Sequence, residues 1–387
     1  MHELPAYHRL LLLTEGNLGV FSSKTAASLL RYRPHDVVGV VDSAAAGQRL
    51  ADSIPWSPPV PILADVDAAR TLRPDALMIG IAPVGGALPD MMRRHVCSAL
   101  RAGLDVVSGL HSFLADDDEL AILAGRSGAR IIDLRRPPAP RVIATAQALT
   151  TRCRRVLTVG TDCNVGKMVA ALELTAAAGR RGLDARFLAT GQTGIMIGGC
   201  GIAIDACVAD FAAGAAEQLV MSAAACDVCF IEGQGSIAHP GFSPVTLALL
   251  HGSCPDTLAL VHQLGRTHYA ASPHGVLPAI PSLIAAYEQA AALLHPARVS
   301  AVAVNSFGYE PETAQREARR IEAELGLPVA DPIRDGCERL LDAILGRTFR
   351  QPQRLSAACR PQPNKKGVAP SGKLNVATSS SFPRSNA

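Results

Sequence analysis

Residues 160 to 168 read GTDCNVGKM and match the pattern G-x-x-x-x-G-K; the apolar run VLTV stands before them and MVAALELTAAAGR after them. A strand, a glycine-bearing loop and a helix in this order make an anion cradle. The glycines let the backbone wrap the anion, successive amides and the helix N-terminus point at it, and the lysine adds a point charge. Before residue 351 lysine occurs only at 24 and 167, although arginine is abundant there. An ammonium kept where a flexible point charge must enter a phosphate cradle marks Lys167 as chosen for chemistry, because a planar guanidinium is not its equivalent. Gly160, Thr161, Asp162, Cys163, Asn164, Val165, Gly166 and Lys167 are therefore expected to bind phosphate. Met168 stands where Ser or Thr would give a hydroxyl to Mg²⁺, and a thioether is a poor ligand for a hard cation. Such a loop suits a diphosphate that is never cleaved, as in coenzyme A, and no metal is expected.

The elements that must position this loop are legible as short apolar runs. RLLLLTE (9–15), VVGVVDS (37–43), ALMIGIA (76–82) and LDVVSG (104–109) end in small or polar residues, with helical patterns between them, and predict a small doubly wound Rossmann-like domain. Asp42 falls where such a fold reads a ribose, but the first turn, EGNLGVFSSKT, lacks G-x-G-x-x-G, which favours a structural role for this domain. The prolines of RRPPAP (135–140) read as a linker and put the boundary near 145. A P-loop NTPase-like doubly wound parallel sheet is expected over 146–348, with further strands at 185–190, 227–232, 257–262 and 299–305. The Ser-, Pro- and Lys-containing remainder, 349–387, is expected to be disordered.

Composition narrows the function classes. Apolar residues make up 48% and aromatics 4%, the excess being Ala, Val, Leu and Ile, as in helices packed on parallel sheets. No apolar run is long enough for a membrane span, and the start lacks a basic leader, so a cytoplasmic protein is expected. The net charge of +3 arises in residues 351–387, which hold six basic residues and no acid; the rest has 31 basic against 34 acidic residues. A body without basic excess disfavours nucleic acid as a partner. Ten scattered cysteines fit thiols in a reducing compartment, and Cys226 and Cys229 are expected on opposite faces of one buried strand.

The loop GTDxxVGK, with Glu232-Gly-Gln-Gly-Ser236 after a strand, resembles dethiobiotin synthetase and related P-loop proteins. A longer resemblance runs over residues 9 to about 348: GNLGVFSSKTA (16–26), IAPVGGALP (81–89), VSGLHSFL (107–114), VGTDCNVGKM (159–168), TGQTGIMIGGCGIAIDACVADFAAGAAE (190–217) and IEGQGSIAHPGFSPVTLALLHGSCPD (231–256). On these segments the chain resembles the DgcN-type D-glutamate N-acetyltransferase family, in which methionine after the P-loop lysine is usual. The resemblance implies acetyl transfer from acetyl-CoA to the amine of D-glutamate, a catabolic route with a partner enzyme acting on N-acetyl-D-glutamate, and a homo-oligomer.

That reaction needs a base to take a proton from the acceptor ammonium, donors for a tetrahedral oxyanion and cations for two carboxylates. Glu232, at a predicted strand end, is the first candidate base. His239 is a second, with His251 and His262 expected at the same sheet edge, and Asp205 or Asp210 could orient a base or bind the adenosine. The segment 191–201 holds five glycines and is expected as a loop whose Ile195, Met196 and Ile197 form a buried wall. Gln192 and Thr193 at its start could bind the cofactor or acyl oxygen. Arg266 is the expected partner of a substrate carboxylate, and Lys24 could reach the same anion across a domain cleft. Two other readings stand beside this one: an ATP- and Mg²⁺-dependent ligase or kinase of the dethiobiotin synthetase type, and a non-catalytic sensor of a phosphorylated ligand.

Overall fold

Four leucines in a row, residues 10–13, carry the alternation that builds the first half of the molecule. Leu10 and Leu12 enter one core and Leu11 and Leu13 another, on the two faces of a sheet buried on both sides. Its part of the chain runs β1 (His2–Glu3), β2 (Leu10–Leu13), α1 (Lys24–Tyr32), β3 (Val37–Val41), α2 (Leu50–Ser53), β4 (Ile62–Leu63), β5 (Ala76–Ile79), α3 (Asp90–Arg101), β6 (Asp105–Ser108), α4 (Asp118–Ser127) and β7 (Ile131–Asp133). All strands from β2 to β7 are parallel, in the order β4-β3-β2-β5-β6-β7. This is the strand order of a dinucleotide-binding fold, reversing between β2 and β5. The four expected strands are present. β4 and β7 escaped the sequence because two or three residues show no period.

The second half runs β8 (Arg154–Gly160), α5 (Lys167–Arg180), β9 (Ala185–Leu188), α6 (Gln192–Gly198), β10 (Cys200–Gly201), α7 (Ala209–Ser222), β11 (Val228–Ile231), α8 (Ser243–Ser253), β12 (Thr257–Gln263), α9 (Ile280–Ala292), β13 (Arg298–Asn305), α10 (Pro311–Leu325), β14 (Val329–Ala330) and α11 (Glu338–Leu345). Six of these strands form a second parallel sheet, β14-β13-β12-β8-β11-β9. Leu157 and Val159 face α7, α8 and α9, whereas Val156 faces the alanines of α5 and the leucines of α11. β8 lies between β12 and β11, so the loop at its carboxyl end opens at the switch point of the sheet, where open α/β sheets take ligands.

The computed structural model describes residues 1–83, 85–270 and 275–346, all within one compact unit. The expected domain end at 348 and the tail 349–387 lie outside the described residues. Among those described, no helix is long and apolar enough to cross a membrane.

Two expectations are corrected. The glycine-rich segment 191–201 is not a loop: residues 192–198 are α6, ended by Gly199 at φ 78°. Its Ile195 and Met196 complete the core of the first sheet, and this burial overrides the poor helix propensity of its glycines. Cys226 and Cys229 do not face opposite ways. Cys226 lies in the bend before β11, so both share one core with Cys153, whose Sγ is 2.8 Å from that of Cys226.

Candidate active site between two sheet edges

The loop after β8 is held from outside by its neighbours, which leaves its inner face to a ligand. Tyr287, fully buried on α9, donates from its hydroxyl to the Gly160 carbonyl at 2.8 Å and accepts from Ile237 N–H at 3.0 Å. The Ser236 hydroxyl donates to the Thr161 carbonyl (3.1 Å), and Thr161 Oγ1 meets His262 Nδ1 at 3.0 Å. Asp162 is fully buried. One of its oxygens accepts from Arg266 and from Ala270 N–H, both at 2.7 Å, while Oδ1 has no partner. Asn164 takes the left-handed φ of 55° and Gly166 a φ of 113°, the curvature that turns successive amides inward. α5 then begins at Lys167 with no side-chain cap and no acid in its first turn, which leaves its first amides to an anion.

Lys167 is buried and its Nζ donates to the Asp162 carbonyl at 2.8 Å. Burial pushes its ammonium down to about 8, against the opposing pull of Cys163, Asp162 and Glu232. Glu232 follows β11 and is also buried. Its Oε2 accepts from Thr190 N–H (2.9 Å) and Gly191 N–H (3.2 Å). Burial pushes its carboxyl up to about 7; the two amide bonds and Lys167 resist the rise, and Asp205 adds to it. Gly194 gives the carboxylate its room, because a Cβ at that position would stand well inside the van der Waals contact distance of Glu232 Oε2.

The first sheet brings its own residues to the same place. Lys24, at the start of α1, donates from Nζ to Asn164 Oδ1 at 2.8 Å. Burial lowers its ammonium, and the charge of Arg135 lowers it further. Thr25 Oγ1 and Thr193 Oγ1 are 2.8 Å apart. Gln192 packs its side chain on Gly109, a position with no room for a Cβ, and its Oε1 accepts from the Thr193 hydroxyl at 2.9 Å. Arg135 binds the Gly109 carbonyl and pairs with Asp205 at 2.8 Å. Residues that follow the carboxyl ends of strands in both sheets thus meet in one place.

The candidate residues divide accordingly. Glu232, Lys167, Lys24, Gln192, Thr193 and the loop 160–166 come together, and Asp205 sits beside them as the partner of Arg135. Met168 follows in the first turn of α5, half-buried. His239 stands near the loop with both ring nitrogens engaged, Nδ1 accepting from Gly241 N–H at 3.0 Å and Nε2 facing the Ala270 carbonyl at 3.2 Å. Arg266 binds the P-loop itself, through Asp162 and the Cys163 carbonyl. His262 is pushed down to about 4 by burial and by Arg266, so its imidazole is neutral and anchors Thr161. His251 does not join the expected histidine cluster; it faces the Ala290 carbonyl between α8 and α9. Ligating atoms of Asp162, Cys163 and His239 lie within 4.8 Å of one another, a set with the composition to hold a soft divalent ion. Arg135 falls in the segment read as a linker and Tyr287 in no motif, so neither carries a sequence signal of the site.

A Rossmann-like sheet joined to a P-loop sheet, with a buried lysine and a near-neutral carboxyl in the cleft between them, defines a two-domain P-loop α/β enzyme. Residues 142–341 match the DUF1611 P-loop domain, described as a domain of unknown function, and residues 43–137 match the Rossmann-like DUF1611_N domain. The chain belongs to the DUF1611 family. A crystal structure of a DUF1611 family protein from Anabaena variabilis is 43% identical with a TM-score of 0.83, covering 87% of this chain and 99% of that one. A D-glutamate N-acetyltransferase from a Pseudoalteromonas species is 39% identical over 70% of this chain and 82% of its own length. Another protein of that name, from Tritonibacter scottomollicae, is 35% identical over 84% and 95%. The chain is accordingly an enzyme, an acyltransferase of the amino-acid N-acetyltransferase class.

Proposed function

We propose that the protein moves the acetyl group of acetyl-CoA to the amine of D-glutamate, in cytoplasmic D-amino-acid catabolism where a second enzyme acts on N-acetyl-D-glutamate. The acceptor is that of the two relatives named above. The observation that carries the chemistry is Glu232, a buried carboxyl raised to about 7 beside the P-loop lysine. A base with that affinity takes the proton of an ammonium acceptor at neutral pH and can return it.

In this reading the P-loop amides, the start of α5 and Lys167 hold the diphosphate of the donor, and no metal is required, in keeping with Met168. Glu232 takes the ammonium proton and the freed amine attacks the thioester carbonyl. The tetrahedral intermediate loses a second proton from nitrogen and collapses with cleavage of the carbon–sulfur bond; of the two protons taken from nitrogen, one goes to the leaving CoA thiolate and the other to solvent. Gln192, whose Oε1 accepts from Thr193, keeps its amide nitrogen for the acyl oxygen. Lys24 and the remaining donors of Arg266 meet the acceptor carboxylates in this reading, while Thr193, whose hydroxyl donates to Gln192, orients that amide.

The test is thiol release from acetyl-CoA with D-glutamate, L-glutamate and D-aspartate as acceptors, beside Lys167→Ala. Turnover with D-glutamate that is strongly reduced in the variant at limiting acetyl-CoA is the expected result. Absence of thiol release under every condition, with Mg²⁺-dependent ATP hydrolysis in its place, overturns the reading.

A further inference from the structure

Three aromatic rings meet just beyond the P-loop, and neither the fold nor the chemistry above uses them. Phe21 belongs to the turn after β2 and Phe307 to the turn after β13; their ring centroids are 5.5 Å apart, edge to face. Trp56 meets Phe307 at 6.0 Å, also edge to face. Phe21 is 68% exposed and Phe307 43% exposed, a large solvent-facing aromatic surface in a chain with so few aromatics.

Both rings are tied to the loop that holds phosphate. Phe21 stands three residues before Lys24, which binds Asn164 of the P-loop. Phe307 N–H donates to Asn305 Oδ1 at 3.1 Å, and Asn305 lies against Gly166, where an added Cβ would meet it at 3.8 Å. Trp56 is fixed by its indole N–H, which donates to the Ala27 carbonyl at 2.9 Å. The guanidinium of Arg31 lies 4.1 Å from the Trp56 ring, and among the described residues no carboxylate pairs with it.

We propose that Phe21 and Phe307, one ring from each half of the molecule, form a one-sided aromatic clamp for the adenine ring of the nucleotide whose diphosphate occupies the P-loop: their edge-to-face contact leaves no slot between them, so the base packs on their exposed outer surface, with Arg31 placed for a phosphate on the ribose. The inference rests on the P-loop as a phosphate site. Flat apolar rings beside an anion cradle match a purine joined to a diphosphate, because every base offers a π-face to an aromatic side chain. A second phosphate on the ribose, as coenzyme A carries, gives Arg31 a partner that ADP lacks.

The chain has a single tryptophan, Trp56, which makes its emission a reporter within the trio. Titration of the full-length protein with CoA and with ADP is expected to change that emission, whereas phosphopantetheine, which lacks adenine, should leave it unchanged. By calorimetry, Phe307→Ala and Phe21→Ala should each weaken CoA and ADP about tenfold, Phe307→Tyr should restore affinity, and phosphopantetheine should bind all four proteins alike. Arg31→Ala should weaken CoA several-fold more than ADP. Unchanged CoA and ADP affinities in both alanine variants, or no binding of either nucleotide by the wild type, overturn the clamp. Phe307-dependent ADP binding without acetyl transfer keeps the clamp and removes the acetyltransferase reading. Acetyl transfer with clamp variants that bind like wild type does the reverse. Equal thermal midpoints for wild type and variants show that the rings have not been traded for folding.

Discussion

Each sheet places a buried glutamate at the carboxyl end of a strand, and the two have opposite fates. Glu15, after β2, accepts from Ser43 N–H (2.9 Å) and the Ser43 hydroxyl (2.7 Å), and pairs with Arg94 (2.6 Å) and His95 (3.2 Å). Burial pushes its carboxyl up, but these partners prevail and bring it to about 2. Glu232 has two backbone amides and more distant cations, and burial wins. The difference teaches that burial alone does not make a base: a carboxylate given enough donors becomes a structural anion, and one left short becomes able to carry a proton. It also bears on the position beside the first strand of the first sheet. Where a dinucleotide fold receives its pyrophosphate, beside the first strand, this chain has its own carboxylate, while Asp42 accepts from the Thr14 hydroxyl at 2.9 Å.

The comparison can be broken first at Glu232. Glu232→Gln should lower kcat/KM by roughly 10³-fold, within the range for loss of a general base, and abolish the fall of kcat/KM below about pH 7. The same change should stabilise the protein at pH 8. A carboxyl whose folded pKa exceeds its ordinary 4.5 costs stability that grows as pH rises from 4.5 to about 7, an upper bound of roughly 3 kcal/mol that the amide removes. A urea midpoint that drops instead contradicts the assignment. Lys167→Ala comes next, with a loss of about 10²-fold or more expressed mainly in the KM for the donor. In the wild type kcat/KM should also fall above about pH 8 as this ammonium deprotonates.

Glu15→Gln should leave kcat near the wild-type value and cost about 1–3 kcal/mol in denaturant unfolding at pH 7. Here the sign is reversed. The folded pKa lies below the ordinary value, so the stabilisation is complete above about 4.5 and fades as pH falls toward 2; the variant should lose that part of its acid sensitivity. The smallest effect is expected from Lys24→Ala, a several-fold rise in the KM for D-glutamate with kcat retained, because the Asn164 contact it gives up is one of several across the cleft.

What was legible in the sequence was what neighbouring residues encode. The P-loop is nine consecutive residues, and the longer strands show as apolar runs, so both could be read directly. Glu232 and Lys24 could be named for their type, but their environments come from partners far along the chain: Lys24 meets Asn164 140 residues away. Tyr287 and Phe307 had no local pattern to announce them, and Arg135 and Phe21 stood in RRPPAP and GNLGVFSSKTA with nothing in those segments to give them a role. α6 was misread because glycine lowers helix propensity, and only the core of the other sheet supplies the burial that outweighs it. His239 and His251 were similar in sequence terms and are distinguished by the carbonyls they face.

The β-strand pair β1 and β10 crosses from one half to the other, antiparallel, with His2 opposite Gly201. Tyr32 donates to Glu173 (3.0 Å) and Arg33 to the Met196 carbonyl (3.0 Å), both across the same divide. With α6 seated in the core of the first sheet, the first half does not retain a finished interior when the second melts. Calorimetry should therefore show that the first sheet does not survive the melting of the second, and excision of the first sheet as a separate polypeptide should give insoluble material.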